Sequence, residues 1–371
     1  MSKYKNLIQR LCDFKHLNSF FACIFESMKR FSTKLLAWYA LHKRALPWRQ
    51  TKDPYVVWLS EIILQQTRVA QGLPYFDRFW HDFPSVHDLA QASEDAVLKR
   101  WQGLGYYSRA RNLHKAAKQL SEQYEGNFPS TYKELLKLPG VGPYTASAIA
   151  SICFDEVCAV VDGNVYRVLA RHFDNDSPIN QPKGIKAFQT LAQSLIDPKS
   201  PGAYNQAIME FGALHCTPKK PKCTTCPLSD SCLAFAYNRV ADRPVKVKAK
   251  PIKKRYFHYL IPIDQNNNTL LSKRDQKDIW KGLYEFPLIE AQNMLSVDAL
   301  QAHDDAPQWA KTAHWTKFQE EAVIHKLSHQ ALHTYFYVLE NVDEALPISW
   351  SNVPDYAVPR LIERFLDKFI R

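Results

Sequence analysis

No stretch of about 20 consecutive uncharged apolar residues occurs in the 371-residue chain, and a helix needs about that many to cross a bilayer. A membrane-spanning helix is excluded, and with it a membrane partner. A secretory leader is lacking as well, because Asp13, Lys15 and His16 interrupt any h-region built around Phe20 to Phe25. No internal repeat is apparent, and 46% hydrophobic with 23% charged residues is the balance of an ordinary globular protein, which excludes disorder and fibres. Acidic residues are the scarce charge, 37 against 48 Lys and Arg, for a net +11. Such an excess suits a polyanionic partner, since basic side chains that neutralise phosphates release counterions.

The length suits two domains at about 150 residues each. An amphipathic helix starts cleanly at Met28 in "MKRFSTKLLAWYALHKRALPWR", which makes Met28 a candidate start and residues 1–31 an extension. From Ser32 to Tyr237 apolar residues recur at helical spacing, punctuated by Pro and Gly, so 32–237 is expected to be all-helical. Residues 238–255, "NRVADRPVKVKAKPIKKR", lack apolar periodicity and form a basic linker, either a solvated tether or a segment lying along phosphates. Beyond Tyr256, "YFHYLIPI", "EAVIHKL" and "HTYFYVLE" predict short strands, and "VPRLIERFLDKFIR" a closing helix, so 256–371 is an α+β domain.

Eight cysteines with no export signal fit a reducing compartment better than disulfides. Four of them, Cys216, Cys223, Cys226 and Cys232, have the spacing C-x6-C-x2-C-x5-C, and four thiolates at such spacing enclose one metal centre. Zinc and an iron–sulfur cluster both accept that donor set. In "LPGVGPYTASAIA" Gly140 and Gly142 predict a tight turn between two helices, where a phosphate can meet free N–H groups at the helix start.

Two carboxylates stand out. In "DPYVVWLSEIILQQTRV" Asp53 is a helix cap, and from Tyr55 to Leu64 only Ser60 and Glu61 are polar. Glu61 is therefore expected to be buried, with a raised pKa that suits a general acid, or else to pair with a cation such as Arg68. Asp162 opens "DGNVYRV", where an Asp ordinarily caps a helix. "GLGYYSRARNL" puts Tyr106 and Tyr107 on a glycine-hinged loop followed by Arg109 and Arg111. His325, His329 and His333 recur every fourth residue and are expected on one strand-and-turn face rather than around a metal.

The hairpin, the Asp after it and the cysteine loop together resemble the helix-hairpin-helix glycosylases, and most closely the MutY-type adenine DNA glycosylases of the endonuclease III superfamily. The resemblance spans about Ser32 to Leu366 and implies a [4Fe-4S] cluster on the four cysteines, with Glu61 as catalytic acid and Asp162 as stabiliser of an oxocarbenium-like sugar. Tyr144 and Asn164 match positions that hydrogen-bond around these carboxylates. Bifunctional relatives carry a Lys at the place of Tyr144, and a phenol forms no imine, so a monofunctional enzyme is implied. Contacts to DNA are implied for Arg49, Gln65, Gln66, Tyr106, Arg109, Gly140 and Gly142, with Tyr106 wedged into the stack.

The segment "SKRDQKDIWKGLYEFP" resembles the start of a Nudix-like domain, but no Glu-rich metal helix follows Gly282 and Glu285, which implies recognition without hydrolysis. In the family that domain checks for 8-oxoguanine through a Ser-His hairpin, matched by Ser328 and His329, although Leu327 stands where a Phe is usual. The expected activity is removal of adenine opposite 8-oxoguanine or guanine in double-stranded DNA, by a monomer in a bacterial cytoplasm. An endonuclease III-like pyrimidine-lesion glycosylase and a non-catalytic iron–sulfur damage sensor are the alternatives.

Overall fold

The computed structural model describes residues 17–247 and 252–369, with side chains from Arg30 onward. The helices run α1 (Leu17–His42), α2 (Pro54–Ile63), α3 (Val69–Asp82), α4 (Val86–Gln91), α5 (Glu94–Trp101), α6 (Ser108–Gln123), α7 (Tyr132–Leu135), α8 (Pro143–Phe154), α9 (Gly163–His172), α10 (Pro182–Leu195), α11 (Pro201–Leu214) and α12 (Leu233–Ala236). Then come β1 (Lys253–Asp264), β2 (Asn268–Thr269), β3 (Ser272–Lys273), β4 (Tyr284–Glu285), β5 (Leu288–Ala291), α13 (Val297–Gln301) and α14 (Gln308–Thr312). The chain closes with β6 (His314–Lys317), β7 (Val323–Lys326), β8 (Gln330–Val342), β9 (Ile348–Ser349) and α15 (Arg360–Phe369).

The all-helical first part and the α+β second part are as the periodicities predicted. Met28 lies inside α1, whose described part begins at Leu17, and residues 1–16 fall outside the described residues. Both ends of the basic run over 238–255 are paired. Val240 O accepts from Arg171 Nε (3.0 Å), Ile179 N donates to Val245 O (3.0 Å), and Asn180 and Val247 exchange two bonds of 2.9 Å. From Lys253 the chain is already strand, and Arg255 is buried. Backbone pairing, which composition does not register, claims both ends of the run.

Two compact units divide the chain: residues 1–66 with 119–248, and 67–118 with 249–371. Within the second, α5 and the start of α6 are joined to loops of the C-terminal part by hydrogen bonds. Lys99 Nζ reaches Tyr356 O (3.2 Å), Val358 N donates to Gln102 Oε1 (3.3 Å), and Arg111 Nη1 donates to Lys281 O.

In the helical unit, Asp53 caps α2 by accepting from Tyr55 N (2.8 Å), and Pro54 fills the first turn, where no N–H is missed. The apolar face of α2 packs on α8, with Trp58 and Ile63 fully buried, and each such side chain contributes about 1.5–3 kcal/mol. Helix α11 packs against α1, α8 and α9. Gly212 permits the last contact, since a Cβ there would sit 2.6 Å from Asn164 Cβ.

The other unit holds a mixed sheet in the order β5-β1-β8-β6, with β7 on β8; β1 and β8 are parallel and the other pairs antiparallel. Period-two alternation along β1 sends Phe257, Tyr259 and Ile261 into one core with α15, and Leu260 into another with Leu300 and Ala310. Both faces are thus covered. Phe336 stacks on Phe365 at 4.5 Å, fixing α15 to the sheet.

Candidate active site

Helices α2, α8 and α9 bring Glu61, Tyr144, Asp162 and Asn164 into one constellation within the helical unit. Tyr144 Oη donates to Glu61 Oε2 at 2.6 Å and lies 3.1 Å from Met209 Sδ. Desolvation pushes the Glu61 carboxyl up to about 7; the negative field of Asp162 adds to this, while the Tyr144 bond and Arg49 oppose it. Near neutrality the group therefore keeps its proton part of the time, which is what a general acid needs. The phenol of Tyr144 is held well above its ordinary range by burial and by both carboxylates, so it remains a donor.

Asp162 is both cap and site residue. Its Oδ1 accepts from Val165 N and its Oδ2 from Asn164 Nδ2, each at 2.8 Å. Burial raises its carboxyl, and those hydrogen bonds restrain the rise. Asn164 in turn accepts through Oδ1 from Arg167 Nη2 (2.9 Å), whose Nε donates to Cys216 O (2.7 Å). A chain of bonds thus runs from the cysteine loop to Asp162.

Arg49 Nη1 and Nη2 grip Glu210 at 2.9 and 2.8 Å, and Arg44 binds the same carboxylate at 2.8 and 2.6 Å. Burial alone would raise Glu210, but the two guanidiniums outweigh it and pull the carboxyl down to about 2. Arg44 and Glu210 were missed in the sequence. The available signal was a single acid in the apolar helix "AIMEFGAL", which must find a cation or lose its charge.

Cys216, Cys223, Cys226 and Cys232 line one small pocket together with Arg171. Burial and mutual repulsion push the Cys226 thiol up to about 12, and the Cys232 thiol up as well, so the sulfurs face a common space. Arg171 Nη1 lies 3.5 Å from Cys216 Sγ and donates to Thr217 O (2.7 Å). A set of four half-buried cysteine donors lining one pocket beside a buried cation fits a thiolate-bound cluster. Arg167 and Arg171, four apart on α9, were also missed; two buried arginines on one helix imply an anionic neighbour.

Gly140 takes φ +74 in the hairpin turn, and Gly142 begins α8 with no side-chain cap. The first N–H groups of α8 are therefore available to an anion. Gln65 Nε2 donates to Thr145 Oγ1 of α8 at 3.2 Å, and Gln66 is exposed at φ 58.

In the sheet unit, Tyr106 is 54% exposed at φ 50, and its Oη meets Ser328 Oγ at 3.0 Å. The Arg109 guanidinium lies 5.4 Å from the Tyr106 ring and 5.2 Å from that of Trp101. Desolvation lowers it to about 10. Ser328 and His329 are both exposed in the turn between β7 and β8. The three histidines do not share a face: His325 pairs with Leu332 and His333 with Ile324, so antiparallel pairing sends them to opposite sides. His325 meets Trp280 and His333 stacks on Tyr256. Spacing of four reads as one face only where no turn intervenes.

Three family models match the chain: an HhH-GPD superfamily base excision DNA repair protein over residues 59–193, an iron-sulfur binding domain of endonuclease III over 216–232, and a NUDIX domain over 258–368. An adenine DNA glycosylase of Buchnera aphidicola from Schizaphis graminum is 33% identical over 361 residues, covering 91% of this chain and 98% of the relative. That of Homo sapiens is 44% identical over 213 residues, 55% of this chain and 39% of the relative. Among solved structures, a thermostable thymine-DNA glycosylase matches 57% of this chain and 98% of its own at 31% identity, with a TM-score of 0.53.

Proposed function

Because the chain belongs to the adenine DNA glycosylase family, with a helix-hairpin-helix glycosylase part, a [4Fe-4S] motif and a Nudix domain, we propose that it removes adenine opposite 8-oxoguanine or guanine, with Glu61 as acid and Asp162 as electrostatic partner. Base-excision glycosylase activity on adenine follows from that membership; the mispair and the residue roles are the proposal. The observation that carries it is the 2.6 Å bond from Tyr144 to a Glu61 whose carboxyl is pushed up to about 7 beside Asp162.

Adenine is a poor leaving group as an anion and a good one once a ring nitrogen is protonated. Glu61 supplies that proton, an effect typically worth ~10²- to 10⁴-fold. As the glycosidic bond breaks, positive charge builds at C1′, and ionised Asp162, oriented by Val165 N and Asn164, stabilises it. Tyr144 holds Glu61 and offers no amine, so the sugar is left as an abasic site rather than cleaved by β-elimination.

Cys216, Cys223, Cys226 and Cys232 would hold the cluster, which supplies a rigid loop; Lys219, Lys220 and Lys222 on its first arm face DNA phosphates. Tyr106 fills the space left by the flipped base, the hairpin at Gly140 and Gly142 takes a phosphate, Gln65 and Gln66 lie beside the opened pair, and Ser328 with His329 reads the opposite base.

Duplexes with adenine opposite 8-oxoguanine, and with thymine glycol opposite adenine, test this. Alkali-dependent breaks only in the first are expected. Excision of thymine glycol means an endonuclease III-like enzyme, and tight binding without breaks means a damage sensor.

A further inference from the structure

A buried guanidinium anchors the turn that carries Ser328 and His329. Arg255, 9% exposed, donates Nε and Nη2 to Glu290 (2.6 and 2.6 Å) and Nη1 and Nη2 to Asp278 (3.0 and 2.7 Å). Two carboxylates on one fork leave it a single orientation. Its fifth N–H, on Nη1, reaches Gln330 Oε1 at 3.4 Å, so every donor of the group is engaged. Gln330 is 5% exposed and directly follows His329. Its carbonyl accepts from Leu327 N (2.8 Å), closing the turn, and His329 O accepts from Lys253 N (3.3 Å) at the edge of β1. Gln330 Nε2 is buried without a hydrogen-bond partner, so the amide is tethered only through the oxygen that Arg255 holds.

We propose that Arg255 and Gln330 are specificity-positioning residues: the guanidinium clamped by Glu290 and Asp278 fixes the Gln330 amide, and with it the angle at which Ser328 and His329 meet the base opposite the excised adenine. This rests on the reading of that turn as the opposite-base reader. Neither residue touches the reacting atoms, so their loss changes the choice of mispair before it changes chemistry.

The test uses the full-length, cluster-loaded protein and single-turnover excision of adenine opposite 8-oxoguanine and opposite guanine. Gln330→Leu keeps the volume and removes the tether; it relieves the orphaned Nε2 but strands one N–H of Arg255, so its thermal midpoint is measured beside the rates and only folded protein is compared. Its rate opposite 8-oxoguanine is expected to fall about three- to tenfold, the size of one lost hydrogen bond, with the rate opposite guanine unchanged. Arg255→Lys, which keeps charge but loses the fork, should shift the ratio the same way. An unchanged ratio in both folded variants, or equal losses on both mispairs, overturns the proposal. Ser328→Ala is run in parallel: a wild-type preference in that variant means the turn does not read the opposite base, whereas lost preference there with a normal ratio in Gln330→Leu defeats the positioning role alone.

Discussion

In the helical unit Glu61 lies against a phenol and a second carboxylate and keeps its proton up to about pH 7, whereas in the sheet unit Asp278 lies between Arg255 and Arg274, whose pull overcomes burial and lowers its carboxyl. Glu285 and Glu290, the first two acids after Gly282 in the chain, are likewise bound by Arg274 and Arg255. Their lone pairs are occupied by guanidiniums rather than left to a divalent cation. The same residue type thus serves as a proton reservoir in one unit and as a structural rivet in the other. Neighbours decide, as Glu210 shows again: in the same unit as Glu61, but bound by two arginines, it sits at about 2.

The strongest way to break this contrast is to remove the reservoir. Glu61→Gln should bind DNA normally and lose excision by roughly 10²- to 10⁴-fold; normal turnover would take Glu61 out of the mechanism. Breaking a rivet should act on stability instead. Glu210→Ala leaves Arg44 and Arg49 facing an empty site and should cost about 3–5 kcal/mol in denaturant unfolding, while a loss confined to activity would mean that the ion pair is not structural. Gly212→Ala pushes a methyl into Asn164 and should cost about 1–3 kcal/mol. It should also slow excision through the displaced Asp162 partner, measurable as lost rate in protein that is still folded.

The smallest effects are in pH. On the proposed mechanism, in which the protonated form of Glu61 is the acid, the rate is expected to fall as pH rises through about 7. Stability follows the same sign: with its folded pKa raised from 4.5, Glu61 is harmless below about 4.5 and increasingly unfavourable up to about 7. Glu61→Gln should therefore melt higher than wild type at pH 8 and equally at pH 4. Tyr144→Phe removes a bond that lowers the Glu61 pKa, so the alkaline limb should move upward by up to about one unit; a downward move would mean that Tyr144 favours the protonated form.

Much of the site was legible in the sequence because its elements are local. A lone Glu in an apolar helix, an Asp before a helix and a cysteine cluster each announce themselves within a few residues. Arg44, Glu210, Arg167 and Arg171 were not legible, because an arginine's meaning lies in the anion it meets, and Glu210 is 166 residues from Arg44. The three histidines were misplaced for a related reason, since pairing across a turn, rather than spacing along the chain, sets which face a strand residue occupies. Residues 67–118 read as one more stretch of helix, and only packing groups them with the C-terminal strands.

The sequence by itself determined the helical and mixed parts, the thiolate set and the two carboxylates, since periodicity, capping and ligand spacing are properties of neighbouring residues. Tertiary structure alone decided that Tyr144 meets Glu61 while Arg49 turns to Glu210, and that Arg255 stands under the Ser328 turn. Those pairings join residues far apart in sequence, and proton affinity in a low-dielectric interior depends on which groups end up within a few ångströms.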